Sequence, residues 1–236
     1  MIDGAFLKGT LEMPVNAAQE AAQQFAWGSL LPNRILCCVA IILVLITIVD
    51  TLNIFPDLAS CIGRWRPCLI IEHSLSLARL RNQAAAAFSL SLCLLADRFA
   101  LYRPGFFRVL PQGWSAAGVI AVFCVWLLLR KSMFKVLRFG YIPSDQKNAI
   151  HCTLFTFLIL AGIVMLPVAG MMSLSGIPEN VIRIVLWSIF GINWLISLVR
   201  TGQIIADCHS GLPTFLYLYA LEILPAGLVA ASALLL

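Results

Sequence analysis

Long apolar stretches separated by short polar ones dominate the chain. Residues 35–55, 84–102, 114–129, 150–174, 180–199 and 212–236 are sustained runs with few or no charges, and about 20 such residues suffice for a helix to cross the hydrocarbon layer. The pattern predicts an all-α membrane protein, a bundle of about six transmembrane helices. The third run is the shortest, so its span needs tilted neighbours or extension through residues 130–135 to cover about 30 Å. Residues 35–236 contain no repeat and no dividing linker and read as one transmembrane domain, preceded by a surface segment at 1–34.

Two stretches break this rhythm. Asn16 with Gln19 three residues on marks the start of a short amphipathic helix ending near Trp27. Asp3, Glu12 and Glu20, together with the lack of an adequate apolar run, argue that the first 33 residues are not a signal peptide. The connection at 56–83 is too long for a plain turn. Its second half places Ile71, Leu75 and Ala78 on one helical face with basic residues elsewhere, the pattern of a cytoplasmic interfacial helix, or of a helix running straight into the second span.

Composition narrows the class. Of 236 residues 61% are hydrophobic and 11% charged, with mean hydropathy +0.95, against about a quarter charged in soluble domains. A water-soluble globule is excluded. The net charge of +5 contains no long basic run, so it reads as loop charge facing the cytoplasm and not as a nucleic-acid footprint. Five of the eight cysteines, Cys37, Cys38, Cys93, Cys124 and Cys152, lie in or beside apolar runs, and no C-x-x-C occurs; they read as small buried hydrophobes.

Of the 16 Lys and Arg, an outside N-terminus assigns ten (Arg64, Arg66, Arg79, Arg81, Arg130, Lys131, Lys135, Arg138, Lys147 and Arg200) to the cytoplasmic side and six to the outer side. Both termini are therefore expected outside a multi-pass bacterial inner membrane. On the same reasoning Trp27, Trp114 and Trp187 sit near the outer interface and Trp65 near the inner one.

Ionisable groups at membrane depth are costly, at least about 2.5 kcal/mol on insertion scales, and become functional candidates. Glu222 is the first, about 14 Å past the cytoplasmic start of the last span. Pro225 lacks the N–H that would bond the Leu221 carbonyl. Tyr219 precedes Glu222 by one helical turn and Asn193 falls at a similar depth in the fifth span, so Asn193, Tyr219, Glu222 and Pro225 form the candidate polar site. One reading is a neutral carboxyl gluing two helices; the other is an ion- or proton-coupled site. Asp50 with Arg200, and Glu179 with Arg183, are candidate ion pairs, whereas the adjacent Asp97 and Arg98 point to different faces and seek separate partners.

His151 and His209 begin the fourth and sixth spans and are the one pair positioned to ligate a metal or haem iron, without a third ligand or motif. No metal or cofactor is expected. Pro167 is expected to bend the fourth span, and Ala117, Ala121, Gly162 and Gly191 offer small-residue packing surfaces. Nucleophile elbow, P-loop, zinc-protease and dinucleotide motifs are all missing from the sequence, which gives an enzyme no positive support.

The segment Leu221-Glu222-Ile223-Leu224-Pro225, the Met165-Leu166-Pro167 bend, the basic loop after the third span and Arg79-Leu80-Arg81-Asn82 resemble an uncharacterised family, a domain of unknown function, of polytopic Bacteroidetes inner-membrane proteins. The resemblance implies a bacterial cytoplasmic membrane, assigns no catalytic residues, and directs attention to Glu222 with Pro225. The leading expectation is an accessory or assembly component of a cell-envelope complex, whose partners are the bilayer and other envelope membrane proteins. A small ion- or proton-coupled transporter or channel centred on Glu222 is second, and a membrane haem or redox protein third.

Overall fold

The computed structural model describes residues 27–64, 67, 71, 74–105, 107, 110, 113–136, 144–207 and 211–235. The helix expected from Asn16, apart from Trp27, lies outside the described residues, as do Trp65, Cys68, Cys208 and His209. The helices are α1 (Leu31–Gly63), α2 (Leu75–Arg98), α3 (Ser115–Val136), α4 (Ser144–Leu174), α5 (Glu179–Ala206), α6 (Leu212–Leu218) and α7 (Leu224–Leu235), with a π-helical turn at Tyr219–Ile223 joining the last two. Among the described residues there is no strand.

Among the described residues five helices are long and apolar enough to cross a membrane: α1, α3, α4, α5 and the joined α6–π–α7. The chain is a multi-pass helical membrane protein. Helix α2 falls below that apolarity because Arg79, Arg81, Asp97 and Arg98 lie along it, yet α1, α3 and α4 all pack on it. It begins at Leu75 and is unbroken, so the amphipathic stretch runs straight into the bundle, and Arg81 is buried, not laid in the headgroup region. Helix α3 takes the extension that the short third run requires.

Local sequence sets the ends. Pro32 and Pro213 occupy first turns, where a missing N–H costs nothing. Helix α4 closes on Gly176 in the left-handed region, φ +68°, with the Ile177 N–H returning to the Met172 carbonyl. Helix α2 closes the same way on Ala100, φ +48°, and the Leu101 N–H returns to Ala96. Neither Pro56 in α1 nor Pro167 in α4 ends its helix.

Packing on α1 follows a seven-residue repeat. Asn33, Ala40, Thr47, Ile54 and Cys61 are buried at that spacing, with Thr51 and Leu58 between them, the seam of a left-handed helix pair. Large aliphatics such as Ile42, Leu45, Ile46 and Val49 face outward. The small and polar residues are thus inside and the greasy ones outside, as a lipid solvent permits. Thr47 and Thr51 satisfy themselves on the Leu43 and Thr47 carbonyls at 2.9 and 2.7 Å.

The central contact joins α2, α4 and the inner end of the α1 seam, where Ala84, Ala85 and Phe88 meet Phe157, Ile159 and Leu160. Gly162 lets the helices approach: a Cβ there would lie 2.4 Å from Phe88 Cδ1. Gly191 has open space around it. We expect Gly162→Ala to destabilise the purified protein by about 1–3 kcal/mol through overpacking, seen as a lowered Tm in detergent, with Gly191→Ala near wild type and Phe88→Leu restoring part of the loss in Gly162→Ala.

Candidate functional site

The last span is where the helix geometry departs from ideal. Helix α6 packs on α5, whereas the π turn and α7 pack on α3, and the change of partner falls at Tyr219–Ile223. Within that turn the Leu224 N–H bonds to the Tyr219 carbonyl, five residues back. In that register the donor missing at Pro225 would have faced the Ala220 carbonyl, one residue earlier than an α-helical register assigns. Single π turns inside α-helices occur frequently at functional sites.

Glu222 lies inside this turn and is buried, as is Leu221. Its Oε1 accepts a charge-assisted hydrogen bond from the guanidinium of Arg130 on α3, and the two side chains are 3% and 4% exposed, respectively. Arg130 lies in the C-terminal part of α3 and Glu222 ten residues after the start of α6, and the flexible stem of an arginine lets its head reach along the bundle to the carboxylate. The site is therefore a buried ion pair between two antiparallel helices; near the far end of the same helix pair the Tyr102 hydroxyl and Ser232 Oγ are hydrogen-bonded at 2.6 Å.

The expected companions of Glu222 are elsewhere. Tyr219 is 47% exposed and stacks on Phe215, with ring centroids 6.5 Å apart. A turn closed five residues apart winds less per residue than an α turn, so position i+3 falls further short of a full revolution, which separates Tyr219 from Glu222. Asn193 donates from Nδ2 to the Phe157 carbonyl at 3.0 Å and ties α5 to α4. Pro225 is buried immediately beyond the turn. Of the four predicted residues the structure keeps Glu222 and Pro225 together and brings in Arg130, assigned from sequence to the cytoplasmic loop.

Nor do the two candidate ion pairs form. Arg200 donates to the Gln203 side chain at 2.6 Å and to the Ile62 carbonyl in the last turn of α1, while Asp50, half-buried, makes no ion pair among the described residues. Arg183 donates from Nε to the Phe99 carbonyl at the end of α2, 3.0 Å away, and leaves Glu179. Both arginines of α5 thus serve C-terminal carbonyls of neighbouring helices, where orphan acceptors and the negative end of the dipole favour a cation. Asp97 and Arg98, expected to seek separate partners, both meet Trp27: Asp97 accepts from Trp27 Nε1 at 2.6 Å and from Ser115 Oγ at 3.2 Å, and Arg98 lies over the Trp27 ring, 5.4 Å from its centroid.

A second buried arginine also escaped the sequence reading. Arg81 on α2 donates from Nη1 to the Cys152 sulfur on α4, and from Nη2 to Asn82 Oδ1 at 3.0 Å. His151 is exposed, with its ring 5.0 Å from that of Phe155, and among the described residues no group of three or more His, Cys, Asp or Glu stands close enough to hold a metal ion.

A family model described as Domain of unknown function (DUF4271) matches residues 79–231. The chain belongs to this family. The DUF4271 match begins at the start of α2 and runs into α7, so it includes Arg81, Arg130, Glu222 and Pro225 and leaves α1 outside. Comparison with curated proteins and with solved structures gives no match.

A guanidinium stays charged in proteins, so removing the buried carboxylate it donates to takes away a charge-assisted contact. Glu222→Gln and Arg130→Met are each expected to cost about 3–5 kcal/mol, whereas Arg130→Met with Glu222→Met should recover most of that loss. Unfolding of all three variants in one detergent gives the coupling energy directly, and additive single losses would show that the pair does not act as a unit.

Proposed function

We propose that this DUF4271 protein is an accessory or assembly component of a cell-envelope complex in a bacterial inner membrane, with both termini outside. The observation that carries the reading is the Arg130–Glu222 contact. The carboxylate through which ion coupling would run is already answered by a cation of the same chain, and it fastens α3 to the last span. The remaining polar contacts are of the same kind: Asn193, Arg183 and Arg200 tie one helix to a carbonyl of another. Such groups hold a bundle in one arrangement. Outward aliphatic faces on α1 and α5, including Ile184, Trp187 and Ile192, are surfaces that lipid or neighbouring membrane proteins would cover.

A small ion-coupled transporter or channel is the second reading, favoured by the π turn that places Glu222 and Pro225 at the joint of the last span. The two readings separate in one preparation. Gentle detergent extraction of the tagged protein from its native membrane is expected to retain defined membrane partners at constant stoichiometry, in the wild type and in Arg130→Met with Glu222→Met alike. Purification of the protein alone, together with proteoliposome ion flux abolished by Glu222→Gln, would replace the assembly reading with the transport one.

A further inference from the structure

We infer that the last span is a two-piece helix with a charge-latched hinge, the π turn Tyr219–Ile223 serving as the joint and Arg130–Glu222 as the latch. Three features converge on this segment. First, the pieces on either side are anchored to different bodies: α6 to α5, and the π turn with α7 to α3. Any flexing of the joint therefore moves α3 relative to α5. Second, the joint is weak in backbone terms, because the register shifts to a five-residue closure and Pro225 then supplies no donor. Third, Gly227, Leu228 and Ala230 beyond it are exposed, and among the described residues the polar tie of the far half of α7 to the rest of the bundle is Tyr102 to Ser232.

Against this background the ion pair has a directional role that apolar packing lacks. Its hydrogen bond fixes the azimuth of residue 222, and hence the winding of the turn, with respect to α3. Glu222 sits at the fourth of the five residues of the turn, so a change in its partner acts on the joint itself. With the pair made, α3, the π turn and α7 move as one body. With it broken, the turn is free to rewind and α7 to swing from α3 while α6 stays on α5. The inference concerns the mechanics of the segment and holds for either functional reading.

Hydrogen–deuterium exchange of the full-length protein in lipid nanodiscs tests it, because local opening is read peptide by peptide. Glu222→Gln and Arg130→Gln are each expected to raise exchange over residues 219–230 at least tenfold while peptides from α2, α4 and α6 change little. Arg130→Met with Glu222→Met leaves no stranded charge, so it remains informative if a single variant fails to fold, and the same local rise is expected from it. Wild-type protection across 219–230 in a folded variant, or a rise spread evenly over every helix, overturns the hinge.

Discussion

An arginine buried among membrane helices needs an anion, and in this fold a carboxylate of the last span answers Arg130. Arg130 keeps its charge whatever the surroundings, and leaving it unanswered at this depth would cost several kcal/mol. Glu222 is the group it reaches. The contact dictates which face of α3 turns inward and which residue of the last span turns to meet it. It also accounts for the placement of the π turn: the extra residue lets Glu222 point at α3 while Phe215 on the preceding piece and Tyr219 at the first position of the turn stack outward.

The same rule, polar groups answered in place, organises the rest of the bundle. Helix ends leave carbonyls without partners, and lipid supplies none. Arg183 and Arg200, toward opposite ends of α5, donate to the terminal carbonyls of α2 and α1. Asn193 between them donates to α4. Helix α5 is thereby fixed to three neighbours by donors spaced along its length, although its outward face is aliphatic. Hydrophobicity places these helices in the membrane; hydrogen bonds and close small-residue contacts, such as Gly162 against Phe88, decide how they sit against one another.

The helical class and the positions of most spans were legible because apolar run length maps directly onto bilayer thickness. The position of Glu222 inside the last apolar span was legible for the same reason. What failed was azimuth. Depth alone brought Asn193, Tyr219 and Glu222 together and set Asp50 beside Arg200, but residues at one depth on neighbouring helices often face apart. Arg130 was hidden by its position: a cation near the end of a span ordinarily reaches the headgroups, and only the long-range packing of α3 against the last span shows otherwise. The register shift at Tyr219–Ile223 has no signal in a periodicity argument that assumes an ideal α-helix, although Pro225 marked the place where one would be tolerated. One regularity was present and unread: Asn33, Ala40, Thr47 and Cys61, small or polar members of an aliphatic helix, fall with Ile54 on one seven-residue spacing.

The family boundary adds a last physical step. DUF4271 covers α2 to α7 and leaves out α1, and α1 is the helix most nearly covered in exposed aliphatics. Arg130, Glu222, Asn193 and Arg183, the Phe157 and Phe99 carbonyls and the Gly162–Phe88 contact all fall within the matched region. Helix α1 adds its seven-residue seam to that framework and receives Arg200 at its C-terminal carbonyls. Most of the polar frame of the bundle thus lies within the matched region, and α1 joins it through its packed seam and through Arg200. The consequence is mechanical: α1 packs on α2 and α4, whereas α3 and the last span are held by their own packing, by Arg130–Glu222 and, beside them, by the contact of Tyr102 with Ser232.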